Sequence, residues 1–193
     1  MKRKKVLIIV SHPDDETIWM GGIILRNRDK WETTIVCLCR KNDLDRAPKF
    51  REVCNILNAK CFISDLDDSE QGDCKKITNK DIISRIKPFI EDKYDLIFTH
   101  GENGEYGHLR HIEVHNAVIE MLNEKLLQSP QVFFFAYVKK GEDCHVDSRA
   151  SKFISLNSVE LKMKKELITK IYGFREESFE ERSSRNEEAF KLE

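Results

Sequence analysis

Several features that would assign a chain to a broad class are missing from this one. Net charge is close to zero: 33 Lys and Arg face 34 Asp and Glu, a formal charge of −1. No global field therefore favours nucleic acid or an anionic membrane. No apolar stretch approaches the roughly 20 residues needed to span a bilayer, so no membrane insertion is expected. The basic opening residues and the apolar Val6–Val10 imitate the start of a signal peptide. The run is too short, however, and His12-Pro13-Asp14-Asp15-Glu16 stands where a small-residue cleavage site belongs. It reads as a buried strand, and a cytoplasmic location is the expectation. None of the six cysteines (Cys37, Cys39, Cys54, Cys61, Cys74, Cys144) forms a Cys-x-x-Cys pair, so reduced, packed thiols are expected rather than a cysteine-based metal site. There is no internal repeat, no Gly/Ser linker and no low-complexity tract, and 193 residues suit one well-buried core. No Gly-x-Gly-x-x-Gly follows the first strand, which argues against Rossmann-type dinucleotide binding.

What is present is alternation. The runs Val6–Val10, Thr33–Leu38, Cys61–Ser64, Leu96–Phe98 and Val132–Val138 read as strands. Between and after them, helical spacing runs from about Asp14 to Asn27 and over Pro48–Asn58, Ile77–Lys93, Leu109–Leu127 and Val159–Tyr172. The end of the chain, from Phe174, is charge-dense and is expected to be partly mobile. Strand–helix alternation predicts an α/β fold: a single-domain, Rossmann-like three-layer sandwich with a mostly parallel sheet. Such sheets bind ligands beyond the carboxyl ends of their strands. That rule selects two places, the turn Ser11–Glu16 after strand one and the loop Thr99–His108 after strand four.

Both places hold unusual residues. Ser11-His12-Pro13-Asp14-Asp15-Glu16 reads first as a helix start: a Ser cap, an early Pro, and acids facing the positive end of the helix. That reading leaves His12 unexplained, and two adjacent carboxylates repel unless a cation relieves them. The second place runs from Thr99-His100-Gly101 through Glu105-Tyr106-Gly107-His108 to Arg110-His111 and His115. His108, His111 and His115 are spaced i, i+3, i+7 along one helix face. His111 reads as a metal ligand and His115, a turn deeper, as a packed residue. Together the two places supply two imidazoles and a carboxylate around an open position, a set that suits a hydrolytic Zn²⁺ and also non-haem Fe²⁺. One of Asp14 and Asp15 would then bind metal and the other take a proton from a water held by the ion.

His12-Pro13-Asp14-Asp15-Glu16 followed by Gly21-Gly22, with Tyr106-Gly107-His108-x-x-His111 later, resembles the LmbE/PIG-L family of metal-dependent N-acetylglucosaminyl de-N-acetylases. The resemblance runs through most of the chain, and the closing Glu187-Glu188-Ala189-Phe190 is similar to the way many members end. It implies His12, Asp15 and His111 as ligands of Zn²⁺ (or Fe²⁺) and Asp14 as general base. His108 would be the acid or electrostatic stabiliser, Tyr106 a mobile donor to the amide carbonyl, and Arg46 a substrate contact on the rim. The implied activity is a zinc-dependent hydrolase removing an N-acetyl group from an amino sugar or GlcNAc-containing conjugate. The alternatives are another amide or ester as substrate, or a metal-retaining binding domain without activity. The implied partner is a small N-acetylated sugar, and a homo-oligomer is left open.

The chain departs from the family pattern where His108-Leu109-Arg110-His111 replaces the usual His-Pro-Asp-His, and where Gly101 replaces an acidic residue. His108 thus lacks its expected acidic partners, with Glu102, Glu105 or Glu113 as candidate substitutes. Lys49 and Leu57-Asn58 also differ from the family's usual acid and Leu-Gly. Gly21 and Gly22 are expected to let the first helix lie close to the sheet or the substrate. His100 has a supporting or a packing role, Asp67-Asp68 reads as a solvated turn, and His145 has no evident partner.

Overall fold

In the computed structural model, which describes residues 2–68 and 76–192, the first apolar run is strand β1 (Lys4–Val10), buried from Val6 onwards. Successive side chains of a strand point to opposite faces. Here Val6, Ile8 and Val10 enter one hydrophobic cluster, and Leu7 and Ile9 enter another. A strand covered on both faces needs a continuous apolar run, as central parallel strands do. The chain continues through α1 (Asp15–Asn27), β2 (Trp31–Cys39), α2 (Arg46–Ile56), β3 (Ala59–Leu66) and α3 (Asn79–Ile86). Next come β4 (Leu96–Thr99), the short α4 (Gly104–Gly107), α5 (Leu109–Asn123) and β5 (Val132–Phe135). The last third adds β6 (Tyr137–Lys140), β7 (Asp143–Val146), β8 (Lys152–Ser155), α6 (Ser158–Glu166), α7 (Phe179–Ser183) and β9 (Glu187–Leu192).

Seven strands form one sheet in the order β3-β2-β1-β4-β5-β9-β8. The first five are parallel, and β9 runs antiparallel to both β5 and β8. Helices α1, α2 and α6 cover the Ile8 face and α3 and α5 the Leu7 face, which makes the expected three-layer, mostly parallel α/β sandwich. The order reverses between β1 and β4, so the crevice at their carboxyl ends is the switch point where such sheets place ligands. His12 follows β1 there, and His100 follows β4.

The structure corrects several local expectations. The run Val132–Val138 breaks at Ala136, and its second half pairs with β7 as a separate hairpin. The helix expected to reach Lys93 ends near Phe89, because Pro88 lacks an N–H and Ile90 is extended (φ −122°, ψ 160°). The charge-dense end from Phe174 carries α7 and the paired strand β9. Cys37, Cys39, Cys54, Cys61 and Cys144 are free thiols, whereas Cys74 lies outside the described residues. Among the described residues no helix is long and apolar enough to cross a membrane.

Helix α1 is interrupted at Met20 (φ −150°, ψ 17°). The break frees backbone groups, and distant residues take them up. Gly22 N–H and Ile23 N–H donate to the two oxygens of Glu188, each at 2.8 Å. The Tyr137 hydroxyl donates to the Trp19 carbonyl at 2.6 Å. Lys164 Nζ lies 2.8 Å from the same Glu188 carboxylate, with both side chains fully buried. A Cβ on Gly22 would sit 2.3 Å from Leu156 Cδ1, so this glycine serves close packing of α1 against the residue that follows β8. Glu188→Gln would strand the Lys164 ammonium and unpair a backbone donor. Breaking a buried pair on one side typically costs about 3–5 kcal/mol. We expect a loss of that order in urea unfolding, partly recovered by adding Lys164→Met.

Candidate metal centre and cleft

The turn after β1 is strained in a useful way. Asp14 has φ 129°, a backbone conformation that non-glycine residues seldom adopt and that costs about 1–3 kcal/mol. Ser11 does not cap α1 as expected: the helix begins at Asp15, and Ser11 Oγ is buried with no partner among the described residues. Nor does Asp14 cap it. Its carboxylate turns into the cleft, 3.2 Å from Arg46 Nη1. Asp15 points the other way, with Oδ1 accepting from the Trp19 indole at 2.9 Å and Oδ2 from His12 N–H at 2.8 Å. Glu16 is wholly buried, accepting from the Tyr172 hydroxyl (2.8 Å) and from Asp14 N–H (3.2 Å).

Three donor atoms meet here. His12 Nδ1 lies 3.2 Å from His111 Nε2 and 3.3 Å from Asp15 Oδ2, and His111 Nε2 lies 3.4 Å from Asp15 Oδ2. Tetrahedral zinc with bonds of 2.0–2.1 Å sets its ligands about 3.3 Å apart, so the triangle has the edge length the ion requires. The outer nitrogens make the same point. His111 Nδ1 faces Glu105 Oε2 at 2.5 Å, and His12 Nε2 faces Asp68 Oδ1 at 3.0 Å. With protons on those outer nitrogens, three lone pairs converge, and a metal ion or a shared proton among them relieves their repulsion. The residues present fit a small divalent ion.

The electrostatics follow from this crowding. Burial would raise the Asp15 pKa, but His111 and His100 hold it well below the usual carboxylate range. Burial, and then the Asp15 charge beside it, push Asp14 well above that range. Burial would lower His12, yet its hydrogen bonds to Asp15 and Asp68 raise it well above an ordinary imidazole. His108 is the opposite case: burial, then His111 and His12, push it down to about 4, and its Nδ1 is buried without a partner among the described residues. Among the described residues, no acidic side chain replaces the missing partner of His108.

Tyr106 packs edge-on against His108, His111 and Phe179 and reaches Trp19. Arg46, besides meeting Asp14, lies 4.1 Å above the Phe174 ring. Together these groups border a cleft of about 230 Å³ that also takes Phe179 and Glu180 from α7. Every residue singled out from the sequence as a ligand, base, acid or rim contact (His12, Asp15, His111, Asp14, His108, Tyr106, Arg46) therefore borders this one cleft or the triangle beneath it.

Sequence reasoning missed three contributors, Asp68, Glu105 and Trp19, and left His100 between a supporting and a packing role. Asp68, read as a solvated turn, holds the His12 ring and is itself held by Arg40 Nη2 at 2.8 Å. His12, Cys39 and Asp68 form a second donor cluster on that side. Glu105, weighed only as a partner for His108, binds His111 and His100 instead. His100 Nε2 accepts from Ser11 N–H at 2.9 Å, so His100 ties β4 to the β1 turn. Trp19, an apolar residue by pattern, supports Asp15. His115 bonds the His100 carbonyl and packs on Phe134, as expected of a deeper residue, and His145 pairs with Arg185 and Asp143 on β7.

Fold and site together define a class: a doubly wound α/β domain with a His–Asp–His donor triangle at the switch point of its sheet. The chain belongs to the PIG-L (GlcNAc-PI de-N-acetylase) family, whose model matches residues 7–122. Three solved structures show how widely the fold recurs. The N,N'-diacetylchitobiose deacetylase of Pyrococcus horikoshii is 18% identical with a TM-score of 0.71, covering 98% of this chain and 84% of that one. A 4-carboxy-2-hydroxymuconate hydratase, GalB, from Pseudomonas putida KT2440 is 17% identical with a TM-score of 0.63, covering 98% and 95%. The A40926 pseudoaglycone deacetylase Dbv21 is 16% identical with a TM-score of 0.62, covering 89% and 82%. At these identities the likeness is one of fold. Among curated proteins none matches the sequence.

Proposed function

We propose that this protein is a zinc-dependent amidohydrolase that removes the acetyl group from an N-acetylated amino sugar or a GlcNAc-containing conjugate. The observation that carries the reading is the triangle of His12 Nδ1, Asp15 Oδ2 and His111 Nε2, 3.2–3.4 Å on each edge, with the Asp14 carboxylate turned into the adjoining cleft. His12, Asp15 and His111 would hold the ion, which when bound supplies an activated water and a Lewis acid for the carbonyl. Membership of a de-N-acetylase family supports the acetamide substrate, and two of the three fold relatives described above are deacetylases by name.

The chain's own residues divide the remaining work. Amide hydrolysis needs a base for the attacking water, donors for the developing oxyanion and a proton for the leaving nitrogen. Asp14, free of any capping duty, takes the proton from water while Arg46 fixes its orientation. Tyr106 and His108 border the same cleft. The Tyr106 hydroxyl makes no hydrogen bond among the described residues, which leaves it to donate to the substrate carbonyl. His108, neutral at pH 7, donates an N–H to the same developing charge, and the proton taken up by Asp14 passes to the leaving nitrogen as the C–N bond breaks. Arg46 and the aromatic wall of Tyr106 and Phe179 would grip the sugar.

Metal-loaded protein incubated with N,N'-diacetylchitobiose, free GlcNAc and GlcNAc glycosides should release acetate from at least one of them. Elemental analysis of anaerobically purified protein would identify the ion as zinc or iron. Phosphate release from phosphoesters without acetate release, or tight retention of an acetamido sugar without turnover, would overturn the deacetylase reading.

A further inference from the structure

Resting on the metal reading above, we propose that Glu105 and Asp68 are the positioning residues of this site. Each fixes a proton on the imidazole nitrogen that faces away from the donor triangle, Glu105 for His111 and Asp68 for His12. Each thereby leaves the inner nitrogen bare for the ion.

Glu105 is built for one purpose. It sits at φ 57°, ψ −56°, a conformation glycine would adopt without strain, between Gly104 (φ 59°) and Gly107 (φ 88°). A side chain kept at such a position has a task that outweighs about 1–3 kcal/mol of backbone strain. Its carboxylate is buried and accepts from three directions: Gly101 N–H at 2.8 Å, His100 Nδ1 at 2.9 Å and His111 Nδ1 at 2.5 Å. The His100 assignment is forced, because Ser11 N–H can only donate to Nε2 and the ring proton must then be on Nδ1. His111 follows, since an ionised carboxylate can only accept. A Cβ on Gly101 would lie 2.4 Å from the Phe135 carbonyl oxygen, so no acid could enter the site from residue 101. The carboxylate arrives from residue 105 instead.

Asp68 has the matching arrangement on the other ring. One oxygen meets His12 Nε2 at 3.0 Å, and the other accepts from Arg40 Nε and Nη2 at 3.1 and 2.8 Å. The loop that carries it is clamped from below by Arg110, fully buried, which donates from Nε to the Asp67 carbonyl at 2.6 Å and from Nη1 to Glu113 at 2.5 Å. Glu113 in turn accepts from Ile77 N–H at 2.9 Å. Arg110 cannot support His108, but it fixes the backbone that presents Asp68 to His12. Carboxylates in this outer position fix the tautomer of a metal-binding histidine, and their loss typically lowers metal affinity 10–100-fold.

Glu105→Gln tests the claim through its chemistry. An amide presents one oxygen and one NH₂ group, so an imidazole facing the NH₂ must offer a bare nitrogen. For His111 that moves the proton to Nε2, onto the lone pair meant for the ion. In metal-free wild type, long-range ¹H–¹⁵N spectra should show His111 protonated on Nδ1, and Glu105→Gln should lose that signature. Zinc competition with a chromophoric chelator should show affinity lowered 10–100-fold in Glu105→Gln and in Asp68→Asn, with Glu105→Asp recovering part of it. Should Glu105→Gln fail to fold, Asp68→Asn applies the same test to His12 at the less deeply buried edge of the site. A wild-type protein that binds zinc, with both variants within about twofold of it, overturns this inference alone. A wild type that binds no zinc overturns the metal reading as well.

Discussion

Asp14→Asn should lower kcat for acetate release by about 10²–10⁴-fold, the range for a general acid or base, while zinc content stays near that of wild type. The separation of the two effects is the point. Asp14 is turned away from the triangle and touches Arg46, so removing its charge leaves the three donor atoms where they are. Asparagine is close in shape and is among the few residues that tolerate positive φ, so the strained turn should survive. Its amide oxygen can still accept from Arg46. What it cannot do is accept a proton from water. Steady-state kinetics beside elemental analysis would check this, and unchanged turnover would remove Asp14 from the mechanism.

His111→Ala should have the reverse signature, loss of the ion first and of activity as a consequence. Removing one of three donors should weaken zinc binding well beyond the 10–100-fold that an outer partner gives. The measurement can be made without substrate. Zinc at 100 times its Kd stabilises a folded protein by about 2.7 kcal/mol. For a chain of this size that is worth roughly 5–10 °C in Tm. Wild type should show that shift on zinc addition and His111→Ala should not, whatever the substitution does to the metal-free Tm. A variant that keeps the full shift would show that the ion is held elsewhere, the cluster of His12, Cys39 and Asp68 being the alternative to examine.

The sheet was readable because its middle strands are buried on both faces, and full burial writes itself as runs such as Val6–Val10. The strand at the other edge, and the separate hairpin, left a weaker mark. β8 is mostly exposed, and β6 ends in two exposed lysines, so neither run has enough apolar residues to stand out. The break in α1 was hidden for a different reason. Ile18, Ile23, Ile24 and Leu25 keep helical spacing across it, and the groups that accommodate it come from Tyr137, Lys164 and Glu188. In the site, the residues that face the ion were legible because histidines and paired aspartates are unusual at strand ends. Their supports were not. Glu105 and Asp68 are two acids among 34, and only the three-dimensional arrangement shows which ones reach an imidazole.

The capping of the broken helix also sets an order of events during synthesis. Gly22 and Glu188 are 166 residues apart, so the second half of α1 cannot acquire its partner until nearly the whole described chain has left the ribosome. Contacts of such long sequence separation slow folding, because a very large loop must close before they form. Until then, the helix that starts at Asp15 can only be tethered provisionally. A nascent chain halted short of residue 188 would have much of its parallel sheet and both histidine segments, yet no acceptor for the Gly22 and Ile23 N–H groups freed at the break in α1.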